Sequence, residues 1–158
     1  MRRPITNAPT AVCALLFFFC SLLVACTSVQ LIPPYDSNID KNVTALQSDT
    51  ETFLVKVVRL EKLEPGTYKD YADFYDKEKV AVSGLQVRVE AVSQNTLTSG
   101  QVNTLSETYA ALEKRHKEKG LNVEDAYEYE KAFNRIFEAI LTLEVAKKGV
   151  PATTGSSK

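Results

Sequence analysis

Apolar residues recur at alternating steps of four and three along most of the chain after residue 36. This spacing keeps them on one face of an α-helix, so each segment that carries it can bury one side against its neighbours. The first such helix is predicted from Ser37 to Leu63, and it ends at Glu64-Pro65-Gly66 because proline and glycine interrupt helices. Ser37 and Asp40 resemble a capping box at its start. Its inward positions are Ile39, Val43, Leu46, Thr50, Phe53, Val57 and Leu60.

A second helix is predicted to begin at Thr67, with Asp70 as the capping partner. Residues 79–92 are rich in valine, and Ser83-Gly84 could form a turn, so a β-hairpin is the alternative there. The charged residues along this segment and its length favour the helix. Its inward positions are Tyr71, Tyr75, Glu78, Val82, Leu85, Val89 and Val92.

Two further helices follow a loop predicted at Asn95 to Gly100. The third runs from Gln101 to Lys119 and stops at Gly120, a residue typical of helix carboxyl ends. The fourth begins at Asn122, a favourable N-cap, and ends near Gly149. Lys147 and Lys148 in its last turn suit the negative end of the helix dipole. The inward positions of these two helices are Val102, Leu105, Tyr109, Leu112, Ala126, Tyr129 or Glu130, Phe133, Phe137, Ile140 and Leu141.

Four amphipathic helices joined by short loops predict an all-α fold, an antiparallel bundle of about four helices over residues 36–149. The small polar residues of 150–158 predict a disordered tail. Residues 26–35 contain Pro33-Pro34, which disfavours helix, so this stretch is predicted to be a short extended tether.

The amino terminus has the pattern of a secretion signal. Arg2 and Arg3 precede a mostly apolar run, Ala11 to Ala25, which is shorter than the roughly 20 residues of a spanning helix. Small Ala25 sits immediately before the break, as a processing site requires. Residues 1–25 are therefore predicted to be a cleaved signal peptide.

Leu23-Val24-Ala25-Cys26 resembles the lipobox of bacterial lipoproteins. The resemblance implies cleavage between Ala25 and Cys26 and a covalent lipid on Cys26, with no other cofactor. Two or three acyl chains give a stable membrane anchor. Thr27 follows the cysteine, which in Gram-negative members of this class implies the periplasmic face of the outer membrane. In a Gram-positive host the same anchor would imply the cell membrane. The body also resembles small uncharacterised helical lipoproteins over Tyr35 to Leu54, a likeness that implies no activity.

Charge and cysteine content exclude several functions. The chain has 19 basic and 20 acidic residues, and loss of Arg2 and Arg3 with the signal peptide would leave a net charge of −3. This near-neutral balance gives no case for nucleic acid as a partner. Cys13 and Cys20 would leave with the signal peptide and Cys26 would carry lipid, so no thiol remains for redox chemistry or for a metal.

The side chains offer little catalytic chemistry. His116 is the only histidine, and among the basic residues near the end of the third helix it is expected to be solvated. The acidic residues Asp70, Asp73, Asp76 and Glu78 could include a carboxylate pair, but capping and solvation explain acids at the start of a helix. Neither a metal site nor a catalytic residue is predicted.

Two aromatic stretches are the best candidates for a binding surface, since tyrosine combines a flat apolar ring with a polar tip. The candidate partner-binding residues are Tyr71, Tyr75, Tyr129 and Phe133. The sequence therefore favours a non-enzymatic envelope lipoprotein that binds or scaffolds an unidentified protein. The alternatives are an enzyme or enzyme modulator acting on peptidoglycan, and a carrier of lipid or another apolar ligand.

Overall fold

The fold was examined in a computed structural model that describes residues 32–149. The predicted signal peptide with its cleavage site, Cys26 and the predicted tail at 150–158 lie outside these residues. The described part contains four α-helices, a 3-10 helix and two two-residue strands. In chain order they are α1 (Ser37–Arg59), β1 (Lys62–Leu63), the 3-10 helix (Pro65–Tyr71), α2 (Ala72–Ala91), α3 (Thr96–Lys119), β2 (Leu121–Asn122) and α4 (Val123–Lys148).

The helices form an antiparallel bundle, which confirms the predicted all-α fold. Each helix packs against its neighbours in sequence, and α4 closes the bundle against α1. The core consists of the apolar faces that the spacing predicts, because burying those faces supplies the main favourable free energy of folding. Its largest fully buried apolar side chains are Ile39, Leu46, Leu85, Leu105, Leu112, Leu121, Phe133, Phe137 and Ile140.

The valine-rich stretch 79–92 is helical as far as Ala91, so the hairpin alternative is wrong. Val82, Leu85 and Val89 are buried at spacings of three and four, whereas a strand would bury alternate residues. The intrinsic β-preference of valine is weak, and packing of this face against α1 and α3 overrides it.

The predicted end of the first helix at Leu63 is also wrong, because α1 stops at Arg59. Glu61 has a positive φ of 63°, which turns the chain away from the helix axis. Leu63 then pairs with Leu121 in an antiparallel ladder, and both side chains are buried. This β1–β2 pair links the α1–α2 connection to the α3–α4 connection at one end of the bundle.

Helix capping agrees with the prediction at Asn122 and differs at the starts of the first two helices. The prediction that the second helix begins at Thr67 with Asp70 as capping partner is wrong, because residues 65–71 form the 3-10 helix and α2 begins at Ala72 without a side-chain cap from the described residues. Asn122 caps α4 in a full capping box with Asp125, with the Asp125 amide donating to Asn122 Oδ1 over 2.8 Å. At α1 the cap is Asp36 rather than Ser37, since Asp36 Oδ1 accepts from the Asn38 amide over 2.8 Å. Asp40 is therefore a first-turn acid, not part of a capping box.

The third helix begins five residues earlier than predicted, at Thr96, so the loop is confined to residues 92–95. Thr98 and Val102 are buried one turn apart, and Thr98 joins a buried polar group described below. Gly100 lies within the helix, and no atom of the described residues lies within 4 Å of the position that a β-carbon would occupy there. Tertiary contacts at Thr98 therefore outweigh the low helix preference of these residues.

Candidate functional site

His116 is buried, with 0% of its surface exposed, so the predicted solvated position is wrong. It extends the buried stripe of α3 by one turn beyond Leu112. Its Nδ1 lies 3.0 Å from the Tyr75 hydroxyl, and its Nε2 lies 3.3 Å from the Thr67 hydroxyl. The Thr67 hydroxyl itself donates to the Glu64 carbonyl over 2.7 Å. This arrangement suits a neutral imidazole that accepts at Nδ1 and donates at Nε2.

Burial lowers the pKa of His116, while a hydrogen bond to the Glu64 backbone opposes the change. The neutral ring therefore joins α3 to the 3-10 helix through Thr67 and to α2 through Tyr75. With none of its surface exposed, the ring is closed to a substrate. The local geometry supports a structural role for His116 rather than acid–base chemistry.

Aromatic rings surround His116 and form what we call the aromatic cluster, which consists of Phe53, Tyr68, Tyr71, Phe74, Tyr75 and His116. Phe53 stacks on Phe74 with ring centroids 4.2 Å apart, and Tyr68 stacks on Tyr75 at 5.5 Å. At the edge of the cluster the Tyr68 hydroxyl donates to Glu113 over 2.7 Å. The cluster joins α1, the 3-10 helix, α2 and α3, so most of its ring surface is used in packing.

The four aromatic residues predicted to bind a partner divide into two pairs. Tyr75 and Phe133 lie in the core, with 4% and 1% of their surfaces exposed, and they present no surface to a partner. Tyr71 and Tyr129 are half-buried against that core. More rings are buried than the inward faces of the four helices alone would bury. The reason is that the 3-10 helix packs against α2 and α3, and its Tyr71 ring contacts Phe53 on α1.

Glu78 is a buried acid without a hydrogen-bond partner. Its side chain is 1% exposed, and neither carboxyl oxygen meets a donor. Desolvation raises the pKa of Glu78 to about 7, with Asp49 adding to the shift and Lys77 opposing it. Lys77 Nζ lies 3.8 Å from Glu78 Oε1 but binds Asp49 more closely, at 2.7 Å. A raised pKa is typical of general acids, but the burial of this carboxyl leaves no room for a substrate.

The other acids of the α2 region do not assemble with Glu78. Asp70, Asp73 and Asp76 are exposed, as the capping and solvation interpretation predicts. Within residues 32–149, no group of three or more potential ligands is placed to hold a metal ion.

A second buried polar group joins the end of α4 to the loop between α2 and α3. Lys147 forms an ion pair with Glu144, and its Nζ donates to Asn95 Oδ1 over 2.7 Å and to Thr98 Oγ1 over 3.1 Å. Both charged side chains are at most 5% exposed. Glu144 Oε2 has no partner. Lys147 is therefore an interior cation, not a solvated residue at the helix end.

The spaces between helices are small or shallow. An enclosed cavity of about 100 Å³ lies between α2 and α3, lined by Tyr75, Val82, Tyr109 and Glu113 among others. An open groove of about 500 Å³ runs between α1 and α4 past Leu141 and Val145. Pockets for drug-sized ligands usually exceed roughly 300 Å³ and enclose most of the ligand, which neither space does.

The outward side of α2 exposes apolar residues in register. Val80 and Val87 are 73% and 67% exposed, and Gly84 and Ala91 continue the same line at spacings of four and three. We call these four residues the α2 face. The spacing of this face is present in the sequence, but valine, glycine and alanine do not by themselves indicate a binding surface, whereas the tyrosines do.

No protein-family model, no curated protein and no solved structure is detectably similar to this chain. Within the described residues no helix is both long and apolar enough to cross a membrane.

Proposed function

We propose that this protein is a lipid-anchored, non-enzymatic protein of the cell envelope that binds or scaffolds a protein partner through the α2 face. The observation that carries the proposal is the sequence Leu23-Val24-Ala25-Cys26 at the end of the apolar run that follows Arg2 and Arg3. The lipid on Cys26 would hold the bundle at a membrane, on the periplasmic side of the outer membrane in a Gram-negative host.

The anchor is tested by replacing Cys26 with serine. Without the sulfur no diacylglycerol is attached, so the protein should move from the membrane fraction to the soluble envelope fraction or remain as unprocessed precursor. Cys20→Ser is the matched control, because Cys20 lies in the same apolar run outside the Leu23–Cys26 motif. Membrane association and mass of the mature form are measured for both. A Cys26→Ser protein that stays on the same membrane in the same amount, fully processed, contradicts the anchor.

The α2 face supports the partner part of the proposal. It places two exposed valines, Val80 and Val87, on one face of α2 about two helical turns apart. Exposed apolar residues that are scattered singly would be ordinary, whereas these two share one face. Glycine and alanine between and beyond them allow another helix to approach closely. The polar groups of the described core are engaged in packing and hydrogen bonds, with the exception of Glu78, Gln86 and Glu144 oxygens.

The α2 face is tested with a photo-crosslinking amino acid placed singly at positions 80 and 87 in living cells. We expect both positions to capture one protein of the same mass, and the Val80→Asp, Val87→Asp double variant to lose that capture. Position 55 on α1 is the control, since Val55 is 63% exposed and lies off this face. Equal capture at position 55, or no effect of the aspartates on a folded protein, contradicts the assignment.

The two alternative functions need features of other kinds. An enzyme or modulator acting on peptidoglycan needs a cleft with converging titratable groups, and the buried Glu78 has no such access. A lipid carrier needs an enclosed cavity for an acyl chain. The space between α2 and α3 is about 100 Å³, and the larger spaces, about 500 Å³ between α1 and α4 and about 600 Å³ beside the α2–α3 loop, are open to solvent. These observations favour the partner-binding proposal over both alternatives.

A further inference from the structure

One end of the bundle gathers the start of α1, the loop between α2 and α3, and the end of α4. Arg88 near the end of α2 pairs with Asp36 at 3.3 Å, which places the start of α1 beside that loop. Lys147 reaches Asn95 from the last turn of α4. Lys148 pairs with Asp40 on α1 at 3.0 Å. We call this the tether end, because the chain enters the bundle here.

The tether end contains an uninterrupted uncharged stretch. Residues 91–106, between Glu90 and Glu107, carry no charged side chain in a chain of which 25% of residues are charged. Leu97 projects from the first turn of α3 and is 71% exposed. The other exposed residues of the loop and first turn are Ala91, Ser93, Gln94, Thr96 and Gly100.

The cations at the tether end are compensated within the bundle, and the two carboxylates that bound the stretch, Glu90 and Glu107, accept from the side-chain amides of Gln86 and Asn103. Arg88, Lys147 and Lys148 each have a carboxylate partner within the tether end. Asn95 uses its side chain to bind the Val89 carbonyl and Lys147, and no side chain caps the amino end of α3.

Covalent geometry favours contact of this end with the membrane, because the tether joins the bundle here. This step rests on the proposed lipid anchor. Cys26 is ten residues from Asp36, a distance that spans at most roughly 35 Å. The 23 residues of α1 place the β1–β2 end about 35 Å further along the bundle. A lipid on Cys26 therefore holds the tether end at high effective concentration beside the bilayer.

We propose that residues 91–100 lie in the headgroup layer of the bilayer that carries the Cys26 lipid, with Leu97 inserted among the acyl chains. The exposed side chains of Ser93, Gln94 and Thr96 can exchange hydrogen bonds with water for hydrogen bonds with lipid oxygens without desolvating a charge. One leucine adds about a tenfold preference for the bound orientation, so the contact forms only when the lipid anchor is present. Because Arg88, Lys147 and Lys148 are paired with carboxylates, the contact does not require anionic lipid.

The test uses the full lipidated protein in phosphatidylcholine vesicles that contain nitroxide-labelled lipid. Cys26 is the one cysteine of the mature chain, and its sulfur carries the lipid. Leu97→Cys or Ser93→Cys therefore introduces a single free thiol for a fluorescent label. Lys119→Cys, exposed near the β1–β2 end, is the matched control. We expect several-fold stronger quenching at 93 and 97 than at 119, unchanged by salt or by added phosphatidylglycerol. Leu97→Asp should abolish the quenching at position 93.

The possible results separate this inference from the anchor. A protein that is acylated and vesicle-bound but quenched equally at 93, 97 and 119 overturns the inference and leaves the anchor intact. A protein with no acyl group on Cys26 overturns the proposed function. Quenching at 97 that needs anionic lipid contradicts the neutral contact. Circular dichroism verifies that each variant is folded.

Discussion

At the scale of the residue, Glu78 shows how position can override side-chain chemistry. Glu78 lies on the buried face of α2 between Tyr75 and Val82. Its carboxyl group is therefore buried by the geometry of the helix, even without a hydrogen-bond partner among the described residues. The interior stabilises the neutral acid, which raises the pKa of Glu78 to about 7. Folding therefore competes with ionisation of this group at physiological pH.

The sign of the pH dependence follows from the direction of this shift. The pKa of Glu78 is higher in the folded protein than in the unfolded chain, so its favourable contribution is complete below about pH 4.5 and is lost as pH rises through about 7. We expect the free energy of unfolding, relative to the Glu78→Gln variant, to fall by about 3 kcal/mol across that interval. Urea unfolding at a series of pH values measures the difference.

Asp76→Asn is the control for Glu78→Gln, because Asp76 is exposed on the same helix. Its free energy of unfolding should follow that of the wild type at each pH. A difference between wild type and Glu78→Gln that is constant with pH would show that the Glu78 carboxyl titrates alike in the folded and unfolded states. His116 acts in the opposite sense, because its lowered pKa makes the neutral ring, and the stability it supports, decline as pH falls below about 6.5.

At the scale of the element, the end of α4 is fixed by a cation in the interior. Lys147 contacts Glu144 on its own helix and Asn95 and Thr98 across the bundle, so it connects α4 to the α2–α3 loop. Adjacent Lys148 is exposed and pairs with Asp40 at the surface. The two lysines differ by one position, and the 100° rotation between them places one inside and the other outside.

Replacing Lys147 with methionine should destabilise the protein by about 3–5 kcal/mol, because it leaves the Glu144 carboxylate buried and unpaired. Lys148→Met removes only an exposed ion pair and should cost less than about 1 kcal/mol. Adding Glu144→Leu to Lys147→Met should restore much of the loss. Thermal and urea unfolding of the wild type and the three variants provides the comparison, and equal effects of the two lysine substitutions would refute the interior role of Lys147.

At the scale of the whole molecule, the β1–β2 pair joins the two helical hairpins. Gly120 lies directly before β2 with φ +73° and ψ −174°, a combination that is essentially restricted to glycine. A β-carbon there would overlap the carbonyl oxygen of Leu63 on β1. The close approach of the α1–α2 and α3–α4 connections therefore requires a residue without a β-carbon at position 120.

Gly120→Ala should lower the free energy of unfolding by about 3 kcal/mol or more, from the backbone conformation and the overlap together. Gly84→Ala is the matched control, since Gly84 is helical and exposed with nothing within 4 Å of an added β-carbon. That substitution should stabilise the protein by roughly 0.5–1 kcal/mol, because alanine favours the helix. Two similar melting temperatures would contradict the constraint at Gly120.

Periodicity predicted most of the fold, and it also contained information about the buried polar residues. His116 continues the series Leu105, Tyr109, Leu112 at a step of four, and Glu144 and Lys147 continue Ile140 at steps of four and three. The prediction that His116 is solvated is wrong. Lys147 lies in the last turn of α4 as predicted, but its side chain is buried. Their stripe positions pointed to the interior.

The helix ends and the partner-binding candidates were predicted less well. Local residues at Thr96 to Gly100 favour a loop, and the helix there depends on the contact of Thr98 with Lys147, which is 49 residues away. Tyr75 and Phe133 are buried because helices pack over them, whereas Val80 and Val87 stay exposed because no element within residues 32–149 covers the outer side of α2. Neither outcome is encoded in spacing alone.

The sequence by itself determined the four helices, the faces that they bury and the capping of α4, because those features depend on residues a few positions apart. The tertiary structure decided which polar residues on those faces found partners, where α1 and α3 end and begin, and which aromatic rings stayed accessible. These depend on contacts between segments distant in the chain. The physical reason is that burial and hydrogen bonding are settled by what packs against a side chain, which helical spacing does not specify.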